Sequence, residues 1–472
     1  MNVNNKYLMV EQYIKQKIEQ GLFTQDEKLP SIRQLSSSMS ISKNTVIRAY
    51  QELEAQGVIY TVPKSGYRVN QRKMPPIAPP KPNHVDLLSV CKEILTYSAD
   101  KELLATGSAH PNIDSPAIKS LYAEIGRHSR RQANVPSHYQ LPPGNALLLR
   151  HLTKISQELG VEVQENEIAV THGAQQAISL ALRALTQAGD IVAVESPCYF
   201  GNLLLMESLG LKVVELPSCP RTGLDIDALN NAMDKWDIKA LLVTPNFTNP
   251  TGSHMPLDKR LALLDSTGSI PIIEDDVFGA LAFDETIPPL KLLDRQNRVI
   301  YVNSLSKMLD SRLRIGWILA GQYQAQIEKF MVCDNMGSLN LMQSAVGAFL
   351  DSGKYRQHVS KMRRSYQANM KLFHSELSEA LNHYSSLNGR FKTYLPQGSF
   401  LLWLTLPKGV DSDQLYQQAK SQGISILPGS IFGTSGQYNH CIRFSCSNFL
   451  SNDEWKQGVA KLAKLIHHQI TE

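Results

Sequence analysis

The 472-residue sequence contains no CxxC pair; its six cysteines (Cys91, Cys198, Cys219, Cys333, Cys441, Cys446) are scattered. That argues against structural zinc and against a disulfide framework, and no metal site is expected. No run approaches the roughly 18 apolar residues that a membrane helix needs. The opening MNVNNKYLMV lacks a basic segment followed by an apolar core, so it does not read as a signal peptide. These absences lead us to expect a protein of the reducing cytoplasm. Strong net charge is missing too: the total is only +5. The excess is uneven, however, because residues 1–72 hold ten bases and six acids and so carry +4 of it. A basic module before a near-neutral body suggests nucleic acid, since phosphate neutralisation favours binding at any base sequence. On charge alone, a merely soluble surface explains the imbalance as well.

Proline supplies the clearest punctuation. Residues 72–84, RKMPPIAPPKPNH, hold Pro75, Pro76, Pro79, Pro80 and Pro82. Such density excludes helix and central strand and favours a semi-rigid extended spacer. It separates a module at 1–71 from a body at 85–472. Apolar content of 42% is ample for large cores. Within the body a large domain is expected over about 115–350. A small one is expected over about 351–472, with part of 85–114.

The N-terminal module reads as three helices and a hairpin. The first helix covers about Tyr7–Gln20, with Val10, Ile14 and Ile18 on one face and Gly21 as its stop. The second begins near Ser31. Ser42 suits the N-cap of the third, where its hydroxyl can accept from a free backbone N–H. On that helix Val46, Ala49, Tyr50 and Leu53 recur at i, i+3, i+4 and i+7 and predict the buried face. Lys43, Asn44, Ile47, Arg48 and Gln51 then point outward, and Gly57 is a C′ residue. Val58–Val62 and Tyr67–Val69 flank Pro63–Gly66 as a hairpin. This is a winged helix-turn-helix, whose second paired helix can enter the major groove. Ser42, Lys43, Asn44, Thr45 and Arg48 are candidate base-edge residues. Arg33 and Lys64, with Gly66 at the wing, are candidate phosphate contacts. A winged helix used for protein contact is the competing reading.

The body alternates apolar runs with amphipathic helices. Candidate strands are Ile168–Val170, Ile191–Glu195, Lys212–Leu216, Ala240–Val243, Pro271–Glu274, Val299–Val302 and Ile315–Leu319. This predicts an α/β fold with a mostly parallel sheet covered on both faces. After about residue 350 the pattern becomes α+β. A long helix near Arg356–His383 precedes strands at Arg390–Tyr394, Phe400–Thr405, Ile424–Leu427 and Cys441–Phe444.

Four local patterns fit one cofactor. Ser304-Leu305-Ser306-Lys307 follows a strand, with Arg314 seven residues on: a lysine of depressed pKa condenses with aldehydes, and hydroxyl plus guanidinium suit a phosphate. Asn249, in NFTNPTG, can donate an amide hydrogen to a phenolate. Glu274-Asp275-Asp276 ends a strand where open α/β sheets bind ligands. A carboxylate there can keep a pyridine nitrogen protonated. Thr171-His172-Gly173-Ala174-Gln175 leads into a helix whose free N–H groups suit phosphate. Taken singly, these also read as a surface lysine, a turn, a solvated strand end and an ordinary strand–helix connection.

Order and spacing carry the resemblance. LPSIRQL, TVIRAYQELEAQG and SGYRV make residues 7–70 similar to the GntR family of bacterial regulators. HGAQQA, ESPCYFG, NFTNPTG, IIEDD, SLSK, RIGW and CIRFS resemble fold-type I aminotransferases, which use pyridoxal 5′-phosphate (PLP). Joined, they resemble the MocR subfamily, which includes the GabR and PdxR types. The resemblance implies a homodimer on a two-fold-related DNA operator. It implies that Lys307 forms the internal aldimine, that Asp275 pairs with the pyridine nitrogen, that Asn249 meets the ring phenolate and that Tyr199 stacks on the ring. Ala174, Gln175, Ser304, Ser306 and Arg314 would cradle the phosphate. Arg443 would take the carboxylate of an amino-compound effector or substrate, and Tyr139 would reach a neighbouring subunit's cofactor phosphate. One departure stands out: Val277 and Phe278 occupy the positions where the family places a tyrosine. Weaker tuning of the cofactor and poor turnover are expected from it. Two readings follow: a regulator sensing PLP or an amino compound, and a working transaminase with an accessory DNA-binding module.

Overall fold

The computed structural model describes residues 3–19, 23, 27–39, 41–63, 65–70, 103–132, 134, 139–284, 287–337 and 340–471. The proline-rich spacer, Lys64 and Gly21 lie outside them. The chain divides into two compact units, Met1–Ala78 and, but for Arg390–Lys392, Pro79–Glu472.

In the first unit, α1 (Val3–Glu19) and α2 (Ile32–Ser38) both pack on α3 (Lys43–Ala55), followed by β1 (Ile59–Val62) and β2 (Gly66–Val69). Ser31 caps α2 through a reciprocal box with Gln34, and Ser42 caps α3 by accepting from Thr45 N. Val46, Ala49, Tyr50 and Leu53 are sealed against Val10 and Ile14. Gly57 takes φ +67° after α3. β1 and β2 pair antiparallel, with Val62 opposite Gly66. A third short stretch joins this wing: Leu29 N donates to Tyr67 O at 2.9 Å and Val69 N to Glu27 O at 3.1 Å. So short a stretch is too brief to show a period, and the sequence pattern did not announce it.

The body is built on an eight-stranded sheet. Its strands are β4 (Ala169–Thr171), β5 (Ile191–Ser196), β6 (Lys212–Cys219), β7 (Gly223–Leu224), β8 (Ile238–Val243), β9 (Ile272–Asp275), β10 (Val299–Ser304) and β11 (Gly316–Leu319). They lie in the order β4-β11-β10-β9-β8-β5-β6-β7. From β10 to β6 every pairing is parallel, while β11 runs against both β10 and β4. Both faces are covered. Tyr301 of β10 enters one apolar cluster and its neighbours Ile300 and Val302 the other, as strand alternation requires. Trp317, fully buried, satisfies its indole N–H on Ser156 Oγ at 3.0 Å.

The smaller domain follows the helix Lys354–Asn382. Its sheet orders β12 (Lys392–Thr393), β13 (Leu401–Thr405), β16 (Cys441–Ser445) and β15 (Leu427–Pro428). The expected single strand Ile424–Leu427 is two. β14 (Ile424–Ser425) pairs in parallel with β3 (Leu104–Ala105), and β15 pairs with β16. The chain changes sheet at the buried Ile426, and an apolar run does not encode which sheet each end joins. No helix among the described residues is long and apolar enough to cross a membrane.

Candidate functional site

The C-terminal ends of β5, β8, β9 and β10 fall side by side, where a parallel sheet opens to ligands. β10 ends at Ser304, and Lys307 lies three residues on, in a turn. Its ammonium donates to Ala109 O at 2.9 Å and stands 5.6 Å from the Phe278 ring centroid. Burial pushes the Lys307 pKa down to about 8. The Arg443 and Arg314 guanidiniums act in the same sense and Asp275 opposes.

Strand alternation sorts the three carboxylates at the end of β9. Glu274 accepts from Leu290 N and Lys291 N at 2.8 and 2.9 Å. Asp276 accepts from Asn246 Nδ2 and the Tyr301 hydroxyl, both at 2.6 Å. Those two are structural. Asp275 faces the other way, with Lys307 among its electrostatic partners and Val277 N 3.3 Å from its carboxylate. Burial raises its pKa to about 7; Asp276 adds to the rise, and Val277 N–H and Lys307 oppose it.

Asn249 sits on the loop after β8, with a buried Oδ1 that has no partner. This loop is tied back to β5: Glu195 Oε1 accepts from Thr244 N at 2.7 Å and Thr248 Oγ1 at 3.5 Å. Tyr199 caps the helix Phe200–Ser208, its ring tilted on Phe200 at 4.8 Å. Gln175 Nε2 holds the same turn through Gly201 O at 2.7 Å.

A cradle forms where β4 meets the helix Ala174–Leu185. Ala174 and Gln175 begin that helix, so their N–H groups have no preceding carbonyl to bond. Gly173 takes φ +82°, and a Cβ there would stand 2.5 Å from Arg314 Nη2. A Cβ at Gly316 would stand 2.5 Å from the Gly173 carbonyl carbon and 2.8 Å from Ala174 N. Arg314 is itself left-handed (φ 51°, ψ 43°), and its Nη2 donates to His172 O at 3.1 Å. Ser304 and Ser306 hydroxyls lie 2.8 Å apart beside it. Arg443, on β16, is fully buried; it donates through Nη2 to Gly107 O and leaves Nε without a partner. Burial lowers its pKa to about 10, with Tyr199 opposing.

Tyr139 is not brought to this group of residues, being 74% exposed on a loop. Phe278 is sealed edge-to-face on Phe400, whereas half-buried Val277 adjoins the Asp275 carboxylate through its N–H. The Phe278 ring stands beside the Lys307 ammonium, so position 278 is where a restored tyrosine would meet the site. Three features escaped the sequence reading: Glu195, the unpartnered Nε2 of His172, and the Gly107 and Ala109 carbonyls. Glu195 lies within the ESPCYFG motif, but its partners come 49 and 53 residues later.

In the N-terminal unit Arg33, Lys43, Asn44 and Arg48 are exposed, as is Gly66 at φ +103°. Arg48 lies over the Tyr7 ring at 4.3 Å. The Ser42 hydroxyl caps α3 and lies 2.8 Å from Thr45 Oγ1, so these two hydroxyls are engaged locally.

PLP fits these residues. The glycine-lined cradle and helix start suit its phosphate. The unpartnered Nε–H of Arg443 is a buried donor that a ligand's carboxylate would satisfy, and buried polar atoms rarely go unpaired. Lys307 is enclosed with its amine partly free of charge near neutrality.

Comparison with known proteins agrees. Residues 112–462 match aminotransferases class I and II, and residues 6–69 match the gntR family of bacterial regulatory proteins. The chain is 32% identical to the HTH-type transcriptional regulator YjiR of Escherichia coli, described as uncharacterized, over 98% of this chain and 99% of that protein. It is 30% identical to YdcR, likewise an uncharacterized HTH-type transcriptional regulator of Escherichia coli, over 98% and 100%. Among solved structures, the multiple substrate aminotransferase of Thermococcus profundus superposes with a TM-score of 0.71 at 20% identity, covering 82% of this chain and 96% of that one. The α-aminoadipate aminotransferase LysN of Thermus thermophilus gives 0.69 at 24%, covering 81% and 94%. The chain thus belongs to the aminotransferase class I and II family, and carries ahead of that fold the DNA-binding module of the gntR family of bacterial regulatory proteins.

Proposed function

We propose that the protein is a cytoplasmic transcription regulator whose body senses PLP, or an amino compound meeting it, and alters how paired N-terminal modules hold an operator. The observation that carries this reading is the convergence of Lys307, Asp275, Asn249 and Arg443 in a chain whose α3 exposes Lys43, Asn44 and Arg48. When bound, PLP supplies an aldehyde that condenses with primary amines and a ring that withdraws electrons. Lys307 would be the nucleophile for that aldehyde, burial having enlarged the share of its neutral amine. Asp275 would hold a proton on the ring nitrogen, Asn249 would donate to the ring oxygen and Tyr199 would lie against the ring. The N–H groups of Ala174 and Gln175, with Ser304, Ser306 and Arg314, hold the phosphate. Arg443 offers paired N–H donors to the carboxylate of the effector. Tyr139, exposed on its own subunit, serves the site of a partner in a homodimer.

A ligand shifts an equilibrium only by its differential affinity for two states. The test is a titration of duplex DNA with full-length protein and its Lys307→Ala variant, each with and without PLP. We expect PLP to change affinity or footprint for the unaltered protein only. A second reading, a working transaminase, is favoured by the same retained Lys307, Asp275 and Arg443. Many cycles of amino transfer without sequence-specific DNA binding would establish that reading and overturn the first.

A further inference from the structure

We propose that the solvent face of the helix Lys354–Asn382 is a second contact for the DNA backbone, on the aminotransferase body. The proposal rests on the reading of the chain as a DNA-binding regulator.

Residues 354–375 hold six bases and no acid. The whole chain is +5, residues 1–72 carry +4 and this stretch carries +6, so all the rest is net −5. This acid-free stretch, ahead of Glu376 and Glu379 at the end of the same helix, stands out against a remainder that is acidic in net. The helix's inner face is core: Tyr355, Val359, Met362, Tyr366, Met370 and Phe373 are buried. Two of its bases are occupied, Arg356 on Glu158 and Arg363 Nε on Ala280 O at 2.6 Å. The other four, Lys354, Lys361, Arg364 and Lys371, are exposed and follow a helical period along one line. That line runs roughly 26 Å at 1.5 Å per residue. Lys354 donates to a neutral hydroxyl, Ser120 Oγ at 2.7 Å, and has no ion-pair partner among the described residues. Lys361, Arg364 and Lys371 have no ion-pair partner among the described residues.

An ordinary solvated helix face mixes signs, because Glu–Lys pairs at i,i+4 stabilise it and like charges do not. A single-sign line of this length matches a polyanion with closely spaced phosphates. Duplex DNA is favoured over a membrane surface for a structural reason. A helix lying on lipid buries its apolar face there, and here that face is spent on the protein core. The exposed positions on this face are mostly polar or small, Gln357, Ser360, Ala368 and Ser375, with Leu372 beside Lys371 the one large apolar side chain among them. A duplex held by the N-terminal module is also presented to the body of the same chain at high effective concentration.

The test uses full-length protein and a duplex it selects from a random-sequence pool, prepared with flanks and trimmed to the selected site. Affinity is followed against salt for the unaltered chain, K361Q/R364Q/K371Q, the charge-preserving K361R/K371R and the head variant K43A/R48A. Each lost phosphate contact lowers the slope of log affinity on log salt by about 0.9. We expect the triple variant to lose about 2 to 3 from that slope on the flanked duplex, and little on the trimmed one, while K361R/K371R keeps it. Equal slopes for triple variant and unaltered protein on the flanked duplex overturn the proposal. So does an unchanged DNA slope with binding to phosphatidylglycerol vesicles lost, which would assign the stripe to lipid. If K43A/R48A keeps full specific binding, the DNA-reading head itself fails, and the stripe with it. If K43A/R48A loses specific binding and the triple variant keeps its slope, only the stripe fails.

Discussion

Lys307 titrates between opposing neighbours. Burial and the Arg443 guanidinium favour its neutral amine, and Asp275 favours the ammonium, leaving a pKa of about 8 instead of 10.5. Uptake of PLP by cofactor-free protein needs the neutral amine, so its rate should rise with pH through a midpoint near 8. Replacing Asp275 with Asn removes a charge that holds the proton on Lys307, so the midpoint should fall. Replacing Arg443 with Gln removes a charge that repels it, so the midpoint should rise. Stopped-flow absorbance of the bound cofactor reads both, and midpoints that do not move would sink this electrostatic account. At this scale the sequence named Lys307 and Asp275 by motif order. It could not show why Asp275 rather than Asp276 faces the lysine, because that follows from which face of β9 each carboxylate occupies. Glu195 was illegible for a related reason: its meaning lies in Thr244 N, 49 residues later.

Short elements set the geometry of both functional regions. The Ser42 hydroxyl satisfies a first-turn N–H of α3, the helix that exposes Lys43, Asn44 and Arg48. Changing Ser42 to Ala should cost about 1 kcal/mol of local stability. Amide hydrogen exchange at the start of α3 should quicken accordingly, and unchanged protection would mean the cap is redundant. In the body, the close approach of Gly316 to Gly173 and Ala174 N leaves no room for a methyl group. Gly316→Ala must displace backbone, at about 1–3 kcal/mol, so PLP affinity should drop about tenfold or more; equilibrium dialysis measures it. The helical period of α3 was readable because burial on a helix repeats every three to four residues. The split at Ile424–Leu427 was not, since both halves are apolar and differ only in the sheet they join.

Subunit arrangement belongs to the whole molecule, and Tyr139 makes it testable. If its phenol serves a partner's phosphate site, mixing Lys307→Ala subunits with Tyr139→Phe subunits should regenerate some sites of full PLP affinity. Those sites would join an intact Lys307 to an intact Tyr139 from the other chain. Titration of cofactor absorbance in the mixture should then show a tight phase absent from either variant alone. No tight phase would mean that each subunit completes its own site. Composition and the proline-rich tract made the two-part plan legible. They could not report assembly, because exposed residues such as Tyr139 carry no periodic signature of what covers them.

The strand Leu104–Ala105 links these scales. It pairs with β14 in the small domain, and within four residues the same segment meets both site cations, Gly107 O on Arg443 and Ala109 O on Lys307. Under the proposed reading, the Gly107–Ala109 peptide would compete for the two groups an effector would use. A thermodynamic cycle then runs in both directions. Whatever factor an effector applies to operator affinity by displacing those carbonyls, the operator must apply to effector affinity, so the protein's response to its ligand would be set partly by the DNA it already holds.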